Sequence, residues 1–477
     1  MSENTKNELP MRRKKRKEYF GTDGFRGEAN VSLTSPEAYR VGRFLGWYFS
    51  SGKGGALSHG TPRIVIGKDT RRSSYMLEYS IAAGISASGA DAYMLHVTTT
   101  PSVSYVTRQD CFDCGIMITA SHNPYFDNGI KVMNRYGEKL DDSTTELIEA
   151  YLDGDMAALG IEGDDLPFAK REKIGQIVDY VAGRNRYVGY IISLASHSYK
   201  NLRIGLDTAN GAAWMIAEAV FSALGAKTEL IGAEPDGLNI NDGCGSTHIE
   251  RLCHLVKERG LDIGFAFDGD ADRCIAVDER GKVVDGDAMM YILAKRLASR
   301  GMLNKNTVVA TVMSNSGFEE SLKKIGVRCE RTKVGDRFVY ERIQEGDFSL
   351  GGEQSGHIIM KKYATTGDGI LTAIMITEEI CDSKLTLSKL WEPVTLYPQH
   401  TKSVRVKNKD AAISNPSTQK ALFEVKAEIG NGGRVLLRKS GTEPVIRIMV
   451  ECEDGGLCEE YVEKIARAID EGGHCVD

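Results

Sequence analysis

Three stretches of the chain repeat one plan, in which a short β-branched run meets a polar turn and then a helical stretch. They are RIVIGKDTRRSS from Arg63, LRIGLDTANGAAW from Leu202 and TVVATVMSNSGFEES from Thr307. Each is followed by a second strand led by glycine: GADAYMLHVTTTP from Gly89, GAKTELIGAEPDG from Gly225 and GVRCERTKVGD from Gly326. A third strand then runs into an unusual loop, in CGIMITASHNP from Cys114, DIGFAFDGDADR from Asp262 and DFSLGGEQSGH from Asp347. Strands alternating with helices predict parallel or mixed sheets covered on both faces, with ligands gathering at loops beyond the strand ends. The fold expected is therefore α/β, with three related α/β/α sandwich domains. From His400 the pattern changes to a VRVKN strand, a helical stretch, RVLLRKSGTEPVIRIMVE and a final helix, which reads as a smaller C-terminal α+β domain. The pattern places domains at 20–169, 170–284, 285–399 and 400–477, after a tail over 1–19.

A chain of 477 residues exceeds what one hydrophobic core supports, which agrees with this division. The composition is that of a soluble globular protein, with 42% hydrophobic and 26% charged residues and a formal net charge of −6. That balance gives no electrostatic reason for nucleic-acid binding. No run reaches the roughly 18 to 20 consecutive apolar residues that span a bilayer. The ten cysteines are scattered without a disulfide framework, and no secretory start is present, so a reducing cytoplasm is expected. The basic run Arg12 to Lys17 is expected to repel itself and stay solvated and disordered.

Chemistry enters at the three loops. Asp268, Asp270 and Asp272 alternate along a chain leaving a strand, and hard oxygen donors so clustered call for a divalent cation, Mg²⁺ above all. An EF-hand is the rival, since Glu279 stands at the twelfth position. It fails because Arg273 occupies the place of the turn glycine and IGFAF and CIAVD read as strands. In TASHNPYFDNGIK, Ser121 ends an apolar strand before an Asn-Pro turn, which is expected to expose its hydroxyl. The same dipeptide in LASHSYK, at Ser196, lacks that turn and reads as a helix end. Lys131 follows Ser121 closely enough to reach the same pocket and exchange protons there. Glu353, Ser355 and His357 come from a tight Gly-rich loop, and hydrogen-bonding side chains so spaced suit sugar hydroxyls. RKSGTEPVIR offers Arg438, Ser440, Thr442 and Arg447 around the Gly441 backbone as an anion cradle for phosphate. Arg26 sits in the glycine-flanked loop YFGTDGFRG, where an anion could come close. The lone pair Cys111 and Cys114 has no second pair to complete a zinc site.

Taken in order, FGTDGFRG, TASHNP, DGDADR, GGEQSGH and RKSGTEPVIR resemble the α-D-phosphohexomutase superfamily, over residues 20 to 451. Within it, GEQSGH with Gln354, TTGDGIL, EPDGLNIN and RVLLRKSGTEPVIRIMVE resemble the members acting on glucosamine phosphates, whose product supplies UDP-N-acetylglucosamine and cell-wall precursors. The resemblance implies four domains around one central cleft, and a cytoplasmic isomerase that is phosphorylated on Ser121. It implies one Mg²⁺ per chain on Asp268, Asp270, Asp272 and a phosphoserine oxygen, and a sugar 1,6-bisphosphate as primer. It implies Lys131 as general acid/base with Arg26, His122 and Arg273 nearby, Glu353 and Ser355 reading sugar hydroxyls, and Lys333 supporting the sugar phosphate. Arg438, Ser440, Gly441, Thr442 and Arg447 would hold the distal phosphate. A homodimer is compatible with it; nucleic-acid and membrane partners are not expected. Related mutases often carry glycine where this chain has Ala271. Glucose or mannose phosphates as substrates, a phosphatase and a silent sugar-phosphate sensor are the readings to be separated from this one.

Overall fold

The computed structural model describes residues 19–21, 24–55, 60–430, 433–439 and 445–475. The basic run 12–17 and the calls on Ser440, Gly441 and Thr442 lie outside the described residues.

The three repeated units build three sheets with one topology. In the first, Arg63–Lys68 is flanked in parallel by Cys114–Ile118 on one side and Asp91–Val97 on the other. In the second, Arg203–Asp207 stands between Ile263–Phe267 and Lys227–Ile231. In the third, Thr307–Thr311 stands between Leu350–Gly352 and Arg328–Thr332. Each third strand then turns back into an antiparallel neighbour: Asp127–Asn134, Cys274–Asp278 or Ile358–Met360. The apolar runs follow from this placement, because a strand covered by helices on both faces has no solvent side to make polar. Ile263–Phe267 and Thr307–Thr311 are buried at every position. The second strands of units two and three lie at sheet edges, and there the burial is only partial. The three loops of interest all leave the carboxyl ends of third strands.

The structure moves one boundary. Ile177–Asp179, beyond residue 169, pairs in parallel with Asp91–Val97 and completes a seven-stranded first sheet. Three residues with an exposed, half-buried, exposed pattern carry too little hydrophobic signal to be assigned to a sheet by sequence. The boundary near 285 divides the chain but not the interior, since one apolar cluster runs from Tyr187 to Val394. The fourth domain is separate in kind: Gln399–Arg405, Val445–Cys452 and Gly433–Lys439 form an antiparallel sheet, in that order, backed by Pro416–Ile429 and Gly455–Glu471. Here the expectation of unpaired cysteines also changes, because Cys452 and Cys458 form a disulfide between the last strand and the last helix. No helix among the described residues is long and apolar enough to cross a membrane.

The joint to the fourth domain is built on Glu451, which is fully buried. Its Oε1 accepts the Ser316 N–H at 2.9 Å and Arg434 Nε at 3.3 Å, while Gln399 donates to Oε2. Arg434 Nη1 continues to the Val312 carbonyl at 2.7 Å. The chain thus enters the domain at Gln399 and is clamped there by one carboxylate. Glu451→Ala leaves the arginine and the amide without their acceptor, and should destabilise by about 3 kcal/mol or more. Hydrogen exchange at the Ser316 amide should accelerate, and unchanged exchange there would remove Glu451 from the joint.

Candidate active site

Ser121 is not exposed as its turn suggested; it is buried, at 1% exposure. The aspartate loop of the second domain packs over it, and Ser121 Oγ donates to Asp268 Oδ2 at 2.5 Å. Contact this close needs Gly269, where a Cβ would lie 2.5 Å from the Ser121 carbonyl oxygen. The serine has φ +51°, a conformation that costs an L-residue about 1 kcal/mol and persists only where its surroundings hold it. Two side chains do so. Arg71 Nη2 and Asn241 Nδ2 donate to the Ser121 carbonyl at 3.0 and 2.9 Å, and both also reach the Asn123 carbonyl. Arg71 is itself locked by Asp69, with Nε to Oδ2 at 2.8 Å and both side chains fully buried. Sequence reasoning singled out neither Arg71 nor Asn241 as functional. Both were in quoted segments, RIVIGKDTRRSS and EPDGLNIN; Arg71 stands three residues past the buried strand Arg63–Lys68, whereas Asn241 lies in a loop ten residues beyond Lys227–Ile231 and offered no such signal.

Asp268, Asp270 and Asp272 are all buried, with ligand oxygens within 4.8 Å of one another. The loop turns through Ala271 at φ +55°, a conformation that glycine takes without strain, so the alanine alters backbone cost and leaves the carboxylates in place. Thr100 Oγ1 donates to Asp270 Oδ2 at 2.5 Å, and Lys131 Nζ donates to Asp270 Oδ2 at 2.9 Å and Asp272 Oδ2 at 3.2 Å. Lys131 arrives from Asp127–Asn134, paired opposite Met117 of the serine strand. Burial first, and then the charges of Asp272 and Asp270, push the Asp268 pKa well above the ordinary carboxylate range. Burial works the same way on Asp272, but Lys131 and His357 outweigh it and hold that pKa well below the ordinary range. Asp270 Oδ1 is buried and accepts no hydrogen bond. Asp272 Oδ1 is likewise buried without a hydrogen bond among the described residues, and three buried carboxylates, two of them with such an oxygen, fit a hard divalent cation.

The remaining predicted residues fall into three groups. Next to the serine, His122 Nδ1 lies 3.4 Å from Ser121 Oγ, and the Arg273 N–H donates to Asp268 Oδ1 at 3.1 Å. Arg26, on Gly24–Glu28, pairs opposite Gly129 at the start of the strand that carries Lys131. From the third domain His357 approaches the triad, with Nδ1 3.6 Å from Asp272 Oδ1. Its Nε2 accepts the Gly367 N–H at 3.0 Å, so the ring braces the aspartate loop while lining the cleft beside Lys131 and Asp336. Burial opposes charging of this histidine, but Asp272, Asp336 and Glu353 raise its pKa to about 9. A doubly protonated ring could not accept from Gly367, so charging it would break that bond. Glu353 and Ser355 make no hydrogen bond to Ser121 or the triad. Glu353 Oε1 accepts the Gly335 N–H at 3.1 Å, and Ser355 Oγ is buried without a partner. Lys333 is exposed, with Nζ 5.7 Å from the Phe338 ring centroid. In the fourth domain Arg438 and Arg447 stand opposite each other across the Gly433–Lys439 and Val445–Cys452 ladder. Burial, and then the charge of Arg447, lower the Arg438 pKa, and Glu353 partly offsets this. Two cations so paired favour a bound anion.

Behind the aspartate loop, buried Asp368 accepts the Tyr187 hydroxyl at 2.9 Å and caps the helix Gly369–Ser383. Burial raises its pKa from 3.8 to about 6. The folded state therefore binds this proton more tightly than the unfolded chain does. The associated stability is full below the unfolded pKa and is lost as pH rises through the folded one. Asp368→Asn should remove a decline of about 3 kcal/mol between roughly pH 4 and 6. Denaturation midpoints measured across that range test it, and a parallel decline in both proteins would exclude Asp368 as its source.

Four descriptions of known domains match this chain in order: phosphoglucomutase/phosphomannomutase alpha/beta/alpha domain I over residues 17–158, domain II over 185–281, domain III over 285–397 and the C-terminal domain over 402–468. A phosphoglucosamine mutase of Lachnospira eligens is 55% identical over 458 residues, covering 96% of this chain and 99% of that protein. Among solved structures, a phosphoglucomutase/phosphomannomutase family protein from Burkholderia thailandensis superposes with a TM-score of 0.74 at 22% identity, covering 95% of this chain and 97% of that one. An N-acetylphosphoglucosamine mutase of Aspergillus fumigatus, solved in complex with GlcNAc-6P and magnesium, gives a TM-score of 0.65 at 18% identity over 95% and 96% of the two chains.

Proposed function

The chain belongs to the phosphoglucomutase/phosphomannomutase family, and from that premise we infer that it interconverts glucosamine 6-phosphate and glucosamine 1-phosphate through a phosphoserine at Ser121. The observation that carries this reading is the 2.5 Å contact of Ser121 Oγ with the buried aspartate triad. A serine held at a cluster of carboxylates suits phosphoryl transfer, because the chemistry is chiefly positioning and charge stabilisation.

In the forward direction the P–O bond to Ser121 Oγ breaks as a bond to the sugar's free hydroxyl oxygen forms, giving a sugar 1,6-bisphosphate. That intermediate turns around in the cleft, and its other phosphoryl group returns to Ser121 Oγ while the new monophosphate leaves. Asp268, Asp270 and Asp272, with a phosphoserine oxygen, would hold one Mg²⁺ per chain, which neutralises charge on the transferring group when bound. Arg71 and Asn241 keep the serine carbonyl fixed, so that the hydroxyl does not swing out of line. Lys131 Nζ, oriented by Asp270 and Asp272, is the group assigned to exchanging the sugar hydroxyl's proton, with Arg26, His122 and Arg273 around it. Glu353 and Ser355 are assigned to the sugar hydroxyls, Lys333 to the sugar phosphate, and Arg438 and Arg447, with the segment 440–442, to the distal phosphate. His357 braces Asp272. A free sugar 1,6-bisphosphate primes the serine, the compartment is the cytoplasm, and light scattering decides between monomer and homodimer.

Assaying glucosamine, glucose and mannose phosphates side by side tests the substrate. The glucosamine phosphate should show the highest kcat/KM. A preference for mannose phosphate would replace this reading, and steady phosphate release without isomer formation would make the protein a phosphatase.

A further inference from the structure

Away from the serine and the triad, a cavity of about 510 Å³ lies where the first and second domains face each other. It forms beyond the carboxyl ends of Arg63–Lys68 and Asp91–Val97 on one side and of Arg203–Asp207 and Lys227–Ile231 on the other. Its charged and aromatic lining is Arg72, Tyr75, His96, Arg184, Trp214 and Asp236. The Arg72 main chain is fixed, its N–H donating to the Gly237 carbonyl at 3.0 Å, while its guanidinium has no partner among the described residues. Arg184 makes a single long bond, Nη1 to the Val97 carbonyl at 3.4 Å. His96 has Glu78 and Asp179 within 3.8 and 3.7 Å of its ring nitrogens, so both nitrogens face carboxylates that do not line the cavity. The one lining carboxylate, Asp236, accepts the Leu238 and Asn239 N–H groups at 2.7 and 2.9 Å through the same Oδ1.

We propose that this cavity binds a nucleoside phosphate, with Arg72 and Arg184 on the phosphate and Trp214 and Tyr75 against the base. Two guanidinium groups with unused donors suit phosphate oxygens, which they contact in pairs. A bare phosphate leaves most of the volume unfilled, since cavities of about this size hold drug-sized ligands, and the Trp214 and Tyr75 rings in the lining suit a flat base. The Trp214 indole stacks on no other ring or cation among the described residues. Lys68 Nζ stands 4.0 Å from the Tyr75 ring centroid on the buried side, where Glu78 answers its charge, so it holds the ring and leaves the phosphate to the two arginines. The site uses none of the residues assigned to phosphoryl transfer, so it stands or falls independently of the mutase reading.

Calorimetric titration of the full-length protein with UMP and AMP tests it, alongside inorganic phosphate and ribose 5-phosphate. At least one nucleotide should bind with Kd below about 1 mM, and the two ring-free probes at least about tenfold more weakly. Arg72→Ala/Arg184→Ala should weaken nucleotide binding at least about tenfold while sugar-phosphate kcat/KM stays within about twofold. Trp214→Leu, which keeps both arginines, should weaken the nucleotide but not inorganic phosphate. Failure of both nucleotides to bind would overturn the proposal. So would equal binding of inorganic phosphate, or nucleotide binding that saturating glucosamine 6-phosphate displaces and the double variant retains.

Discussion

Ser121→Ala is expected to lower mutase turnover by a factor on the order of 10⁴ or more, the scale of loss when a covalent nucleophile is removed. Without Oγ the phosphoryl group has no carrier, and neither Asp268 nor water can hold it between the two half-reactions. The fold should survive, because the serine loop is held through its main-chain carbonyl by Arg71 and Asn241, bonds that alanine keeps. What the variant loses is one hydrogen bond to Asp268, worth about 1 kcal/mol, together with a polar group that was buried only to serve it. Intact mass spectrometry gives a second readout, since wild-type protein incubated with a sugar bisphosphate should gain about one phosphate and the variant none. Residual turnover within about a hundredfold of wild type would remove Ser121 from the covalent role.

Much of this site was legible in the sequence because its chemistry is concentrated in loops that end buried strands. The apolar runs before Ser121 and Asp268 marked buried strands, and the Glu353 loop, weak by itself, gained weight from standing in the same slot of the repeated plan. The aspartates stood out because alternate carboxylates are costly to bring together without a cation. What the sequence could not carry was the packing of one unit on another. Ser121 looked exposed because its own turn leaves it so; it is buried because residues 268 to 272, almost 150 positions away along the chain, close over it. Arg71 and Asn241 were unreadable as a pair for the same reason: one follows a strand and the other lies far along a loop, and their shared task exists only where two domains meet at one carbonyl. His357 could be assigned to the cleft from its loop, but its approach to Asp272 of the metal-fitting loop depends on how the third domain packs on the second.

Asp270→Asn is expected to have the second largest effect, with sugar-phosphate turnover falling by about 10² to 10³, the several kcal/mol that charge neutralisation supplies in phosphoryl transfer. Stability without metal should move the other way. Burying three carboxylates together raises the Asp268 pKa through burial and through repulsion from Asp272 and Asp270, a repulsion that Lys131, bonded to Asp270 and Asp272, and Arg273, 4.0 Å from Asp272, offset only in part. Removing one of the three charges relieves that repulsion, so the metal-free variant should unfold no more easily than metal-free wild type. Mg²⁺ then separates the two proteins. A cation that binds only the folded state stabilises it by RT ln(1 + [L]/Kd), about 2.7 kcal/mol at a hundredfold excess over Kd. In wild type the thermal midpoint should therefore climb a few degrees with Mg²⁺, and in Asp270→Asn the climb should largely disappear. The combination is diagnostic, because a residue that merely supported the loop would lower metal-free stability when changed. If Asp270→Asn kept both full turnover and the Mg²⁺-dependent rise, its orphaned oxygen would have to serve something other than a cation.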